Sequence, residues 1–87
     1  YIARIQAKVK GNIVLPLGIG GDPSAQFSVD QLPDGTVIDV QLKRSSGNSQ
    51  LDQAIERAIR KSSPLPQPQN KDLFDRTLDL TFYPLRG

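Results

Sequence analysis

The segment Gly18-Ile19-Gly20-Gly21-Asp22 has the composition of a phosphate cradle, the first constellation in this 87-residue chain that could do chemistry. A cradle works when the loop follows a strand and opens a helix, so that free backbone N–H groups and a following lysine meet the phosphates. Here the loop follows a helical pattern, precedes a strand pattern and is followed by no such lysine, so a connector explains it better. Two carboxylate pairs, Asp52 with Glu56 and Asp72 with Asp75, have acid–base spacing. Such a pair works when burial raises one pKa above the other. Both lie on polar stretches beside Arg57, Lys71 and Arg76 and read as solvated surface. Ser45, Ser46, Ser62 and Ser63 have no histidine to activate them, because the chain contains none. Turn and cap roles account for them.

With neither Cys nor His, zinc and iron sites, thiol nucleophiles, disulfides and histidine-based triads have no residues to build on. No cofactor or small-molecule substrate is expected. Basic residues gather at Lys43-Arg44 and at Arg57, Arg60 and Lys61. The net charge is only +2, from 11 basic and 9 acidic residues, and the basic residues run through the chain from Arg4 to Arg86. Stacking aromatics are few, and Phe27 and Phe82 are needed in the core. Nucleic-acid binding is therefore not expected.

The elements that must position these residues follow from periodicity. Ile2, Ile5 and Val9 share one face of a helix over Tyr1–Lys10, and Gly11 is expected to close it in the left-handed conformation. Residues 12–24 read as a loop, from which Ile13, Val14 and Leu15 could tuck into the core. Ala25–Leu32 and Thr36–Lys43 alternate with period two and read as a hairpin around Pro33-Asp34-Gly35. In that turn proline presets φ and glycine supplies a positive φ. Ile38, Val40 and Leu42 are expected on the buried face, and Leu32 marks a bulge or the start of the turn. Leu51, Ala54, Ile55, Ala58 and Ile59 form the apolar stripe of a second helix, capped by Asn48 or Ser49, with Ser49 and Asp52 fitting a weak capping box. Pro64, Pro66 and Pro68 then force a stiff, extended connector. Asn70 is placed to cap a single turn over 70–75, and Thr77–Tyr83 alternates once more.

Three strands with one apolar face need the two helices as a cover. The expected fold is a two-layer α+β sandwich, a three-stranded antiparallel sheet with both helices on one face, in the order α-β-β-α-β. The length allows one domain, residues 1–87. The chain begins at Tyr1 rather than Met and is expected to be a fragment of a longer protein. It contains no signal peptide or membrane span, since the apolar stretch Ile13–Ile19 is broken by Pro16 and Gly18.

The last strand carries the remaining functional signal. Thr77, Leu78, Asp79, Leu80, Thr81, Phe82 and Tyr83 include one charge and no lysine, so an edge here would be poorly defended against an added strand. At an edge it would accept a partner's extended peptide; in the middle of the sheet it would be fully paired. Residue types alone leave the two open.

Taken in order, Pro33-Asp34-Gly35-Thr36-Val37, Ser45-Ser46-Gly47-Asn48, Leu51-Asp52-Gln53-Ala54-Ile55, Ala58-Ile59, Leu65-Pro66-Gln67-Pro68 and Leu78-Asp79-Leu80-Thr81-Phe82 form a succession that resembles the C-terminal domains of the TolA and TonB energy transducers. The resemblance covers essentially the whole chain. The opening Tyr1-Ile2-Ala3-Arg4-Ile5, with Pro16 beyond the first helix, is more similar to TolA, since Ile2 stands where TonB domains often carry proline. What the resemblance implies is a non-enzymatic, cofactor-free binding module. It would be the periplasmic domain of a protein anchored in the bacterial inner membrane, with membrane helix and stalk upstream, coupling the proton-motive force to outer-membrane partners in envelope integrity and cell division. The implied partners are TolB and Pal, with colicins and the minor coat protein of filamentous phages as parasitic ligands. The inner-membrane Tol channel would be engaged through the upstream region. The expected contact is strand addition along Thr77–Tyr83, with Lys43, Arg44 and Arg57 as accessory contacts. A TonB-type domain binding TonB-box peptides of outer-membrane receptors is the alternative. Asp72 or Asp75 acting in an enzyme fragment is a third reading, without a substrate to propose.

Overall fold

Alternation places β1 (Ala25–Gln31) and β2 (Val37–Arg44) as an antiparallel hairpin in the computed structural model, which describes residues 1–86. The turn is built by its residue types. Gly35 N donates to Leu32 O at 2.8 Å and Leu32 N to Thr36 O at 2.9 Å. Gly35 has φ +93°, which a Cβ would oppose. Asp34 completes the turn by accepting from Thr36 N at 2.9 Å. Leu32 is thus the first residue of the turn.

The helices are α1 (Ile2–Gly11) and α2 (Ser49–Lys61), followed by a 3₁₀ turn at Lys71–Leu73 and by β3 (Thr77–Phe82). Asn48 caps α2, its side chain accepting from Leu51 N at 3.1 Å, and Asn70 caps the 3₁₀ turn through Asp72 N at 2.9 Å. The sheet order is β2-β1-β3, antiparallel throughout. Both helices cover one face, α1 against β3 and α2 against β2. The core gathers Ile5 and Val9 of α1, Phe27 and Val29 of β1, Leu51, Ile55 and Ile59 of α2, and Leu78, Leu80 and Phe82 of β3. Burying each large apolar side chain contributes about 1.5–3 kcal/mol. Phe27 and Phe82 meet edge to face with ring centroids 6.4 Å apart. The expected order α-β-β-α-β and two-layer packing are observed, and no helix is long and apolar enough to cross a membrane among the described residues.

Several local expectations are corrected. Gly11 does not end α1 in the left-handed conformation. The helix runs through it, and Asn12 caps it at φ −101°. Asn12 Nδ2 donates to Ser62 Oγ at 2.8 Å and Ser62 Oγ to Ala58 O at 2.7 Å, so this polar tie between helix ends takes the place of a glycine cap. Val14 and Leu15 do not tuck in; only Ile13 of that trio packs against the core. In β2 a register shift between Asp30 and Gln31 of the partner strand turns Val37 toward the core and leaves Ile38 exposed. Leu42, on the edge strand β2 opposite Phe27, is also exposed. The capping box is not formed. Asp52 instead turns back and accepts from Ser46 N at 2.9 Å, from Ser46 Oγ at 2.7 Å and from Ser45 Oγ.

Candidate functional site: the free edge of the last strand

Because β1 lies between the other two strands, β3 is an edge. Its residues divide by register. Gln31 N donates to Arg76 O at 2.8 Å, one step beyond the opposed pair Asp30 and Thr77 in the same register. Antiparallel pairs alternate between hydrogen-bonded and non-hydrogen-bonded, so Leu78, Leu80 and Phe82 turn their backbone groups toward β1. Thr77, Asp79 and Thr81 turn theirs outward. The same three residues place their side chains on the outer, wetter face, where Thr77 Oγ1 donates to Asp30 Oδ1 at 2.7 Å. The inner side chains anchor the strand in the core, and the outward main chain meets no neighbouring strand among the described residues.

The two edges of the sheet differ. β2 pairs with β1 through two register shifts and ends in Lys43 and Arg44. Bulges and basic residues are devices that keep an edge from accepting a strand. β3 pairs with β1 in unbroken register, and Asp79 is its only charge.

One outward acceptor on β3 already has a partner. Gln6 Nε2, from α1, donates to Thr81 O at 2.9 Å. Next to it a groove of about 240 Å³ opens between α1 and the end of β3, lined by Ala7, Lys10, Ile13, Phe82 and Tyr83 among others. The far end of the groove is held by Arg86, whose guanidinium lies 3.9 Å from the Tyr83 ring centroid and pairs with Asp22 at 2.6 Å. The Arg86 hydrogen bonds hold the Asp22 carboxyl below the usual aspartate range, against a smaller opposing effect of desolvation. Both side chains are more than half exposed, so the pair adds little stability and mainly ties the 12–24 loop to the chain end.

Thr77 through Phe82 lie together in β3, whereas Tyr83 lies just beyond its end, exposed on the rim of the groove. The accessory residues are not brought to this edge. Lys43 and Arg44 sit on β2 across the sheet, and Arg57 lines a separate groove with Val14, Leu15 and Lys61. The carboxylates are expected at the solvated surface, and Asp52 departs from that. Asp52 is buried while Glu56 is only partly covered. Burial pushes the Asp52 carboxyl up, but the hydrogen bonds from Ser45 and Ser46 outweigh it and hold it below its ordinary value. Asp72 and Asp75 are exposed. Sequence reading missed Gln6 and Gln31. Gln31 is wholly buried, donating to Tyr1 OH at 3.0 Å and Asp75 O at 2.8 Å and accepting from Gln67 at 3.3 Å. It occupies the inward position after Ala25, Phe27 and Val29, and that alternation was the available signal.

Solved structures share this architecture. TolAIII bound to a peptide derived from the N-terminus of TolB superposes with a TM-score of 0.81 at 24% identity, over 98% of this chain and 73% of that one. The TonB C-terminal domain of Helicobacter pylori gives 0.71 at 21% identity, over 93% and 88%. The HasB C-terminal domain gives 0.56 at 27% identity, over 98% and 70%. No curated protein matches the sequence. The family model described as TonB C terminal matches residues 1–82, and on that match the chain belongs to the TonB C-terminal family.

Proposed function

We propose that this chain is the partner-binding domain of a TolA-type energy transducer, and that it captures an extended peptide by strand addition along β3. The observation that carries this reading is the outward main chain of Thr77, Asp79 and Thr81 on an unbulged edge. Such an edge offers hydrogen bonds to any extended segment, with specificity left to alternate side chains. The fold shared with TolAIII, which was solved with a TolB peptide, supports a TolB N-terminal segment as the ligand. On this reading the domain works in the periplasm, tethered to the inner membrane by upstream sequence, and has no catalytic role. Pal, colicins and phage coat protein are further partners on the same reading. Lys43, Arg44 and Arg57 then lie too far round the molecule to touch the added strand and would serve a second contact.

The similarity to TonB and HasB C-terminal domains favours a second reading, a TonB-type domain that takes TonB-box peptides of outer-membrane receptors. Titrating the ¹⁵N-labelled domain with the N-terminal peptide of the cognate TolB, and separately with a TonB-box peptide, separates the two. Amide shifts at Thr77, Asp79 and Thr81 with the TolB peptide alone are expected. Shifts with the TonB-box peptide alone would move the protein to the second reading.

A further inference from the structure

We infer that the Gln6 carboxamide stands in for a backbone N–H of the incoming segment at the Thr81 carbonyl, and that strand addition proceeds by displacing it. The inference rests on the strand-addition reading and adds to it the residue that competes for the edge. Thr81 O is an outward acceptor by register, and in the free domain its donor is a side chain from another element, 75 positions away in sequence. An amide N–H offered by a side chain matches the one an added strand would supply, and the two donors need the same place at the strand edge. Gln6 is half-buried on α1, so its long side chain can swing out without opening the core around Ile5 and Val9.

The geometry also describes the segment that displaces it. The residue supplying the N–H cannot be proline. Side chains alternate between the faces of an added strand, so a residue flanking that donor faces the groove beside Ala7, Ile13 and Phe82. That groove is mostly apolar in its walls and takes an aliphatic or aromatic side chain. Among the described residues no side-chain donor meets the outward Thr77 and Asp79 carbonyls, whereas Thr81 O has Gln6, so pairing at the first two forms without competition. Gln6 therefore raises the threshold at one end of the edge only, which favours segments long enough to reach it from the Thr77 side.

The test compares wild type with Gln6→Ala, using the N-terminal peptide of the cognate TolB as probe. Removing a competing hydrogen bond of ordinary net strength is expected to tighten binding by about two- to tenfold. In wild type the Gln6 side-chain amide resonances should shift in step with the Thr81 amide. A merely structural role would lower the melting temperature of Gln6→Ala without tightening binding. Unchanged or weaker binding by Gln6→Ala, with β3 amides still shifting, overturns the inference and leaves strand addition standing. No β3 shifts in either protein overturns both.

Discussion

Leu65 donates its N–H to the Gly35 carbonyl at 2.8 Å, and the Leu65 backbone lies where a side chain on Gly35 would stand. The proline-stiffened connector thus crosses the hairpin turn at the one glycine of the turn. A Cβ there would also strike the Gln67 amide, and φ is +93°. Gly35→Ala should cost about 2 kcal/mol or more, combining the left-handed penalty with displaced backbone. Gly47→Ala, with φ +92° but open space around it, should cost only about 1 kcal/mol. Urea denaturation of the two variants checks the difference; equal costs would mean the connector yields freely.

Gln31 joins three parts of the chain that the sheet alone does not hold. Replacing it with leucine removes donors from Tyr1 OH and the Asp75 carbonyl and a partner from Gln67. Leaving buried polar groups unmet costs about 1–3 kcal/mol. Tyr1→Phe loses only one of these bonds and should cost less. Thermal melts of both variants test the order, and a Gln31→Leu protein as stable as wild type would show that the three segments hold without the amide.

Asp52 makes stability pH-dependent. Its folded pKa lies below the ordinary value because the Ser45 and Ser46 hydrogen bonds exceed the effect of burial. A depressed carboxylate contributes stability that is fully present above the unfolded pKa of about 3.9 and is lost as pH falls through the folded value. The advantage of wild type over Asp52→Asn should be constant above about pH 5 and shrink below about pH 4. Denaturation midpoints across pH 2–7 report this directly. An advantage that grows toward low pH would reverse the assignment.

Much of this architecture was legible in the residues. The stripe Leu51, Ala54, Ile55, Ala58 and Ile59 is buried as read, and Pro33-Asp34-Gly35 turns as its chemistry requires. What escaped reading depends on contacts between elements. Glycine chemistry points to Gly11 as the stop of α1, but Asn12 finds Ser62 at the end of another helix. Ile38 belonged to the apolar alternation until a bulge redirected it. The same limit applied to the site. Periodicity says which face of a strand is buried and nothing about which strand lies beside it, so the edge position of Thr77–Phe82 needed the sheet order. Gln6 is an ordinary polar residue on a helix until Thr81 is placed next to it.

The main-chain directions in β3 make proline substitutions informative in a position-dependent way. Leu80 turns its N–H toward β1, so Leu80→Pro breaks the internal ladder and is expected to unfold the domain or destabilise it by about 3 kcal/mol. Loss of binding by that variant would say nothing about the outer edge.

Asp79→Pro is the direct test. Asp79 turns its N–H outward, and edge strands tolerate proline where the missing N–H faces away from the sheet. Binding of the cognate TolB N-terminal peptide to Asp79→Pro and to wild type, followed by amide shifts with the fold verified in the same spectra, decides whether the outer edge of β3 is the binding site. A folded Asp79→Pro domain should lose binding by at least about tenfold, because an interior bond of the added ladder is gone and the ring crowds the partner. A folded variant that binds as wild type does, with shifts at Lys43, Arg44 and Arg57 instead, would place capture elsewhere on the domain.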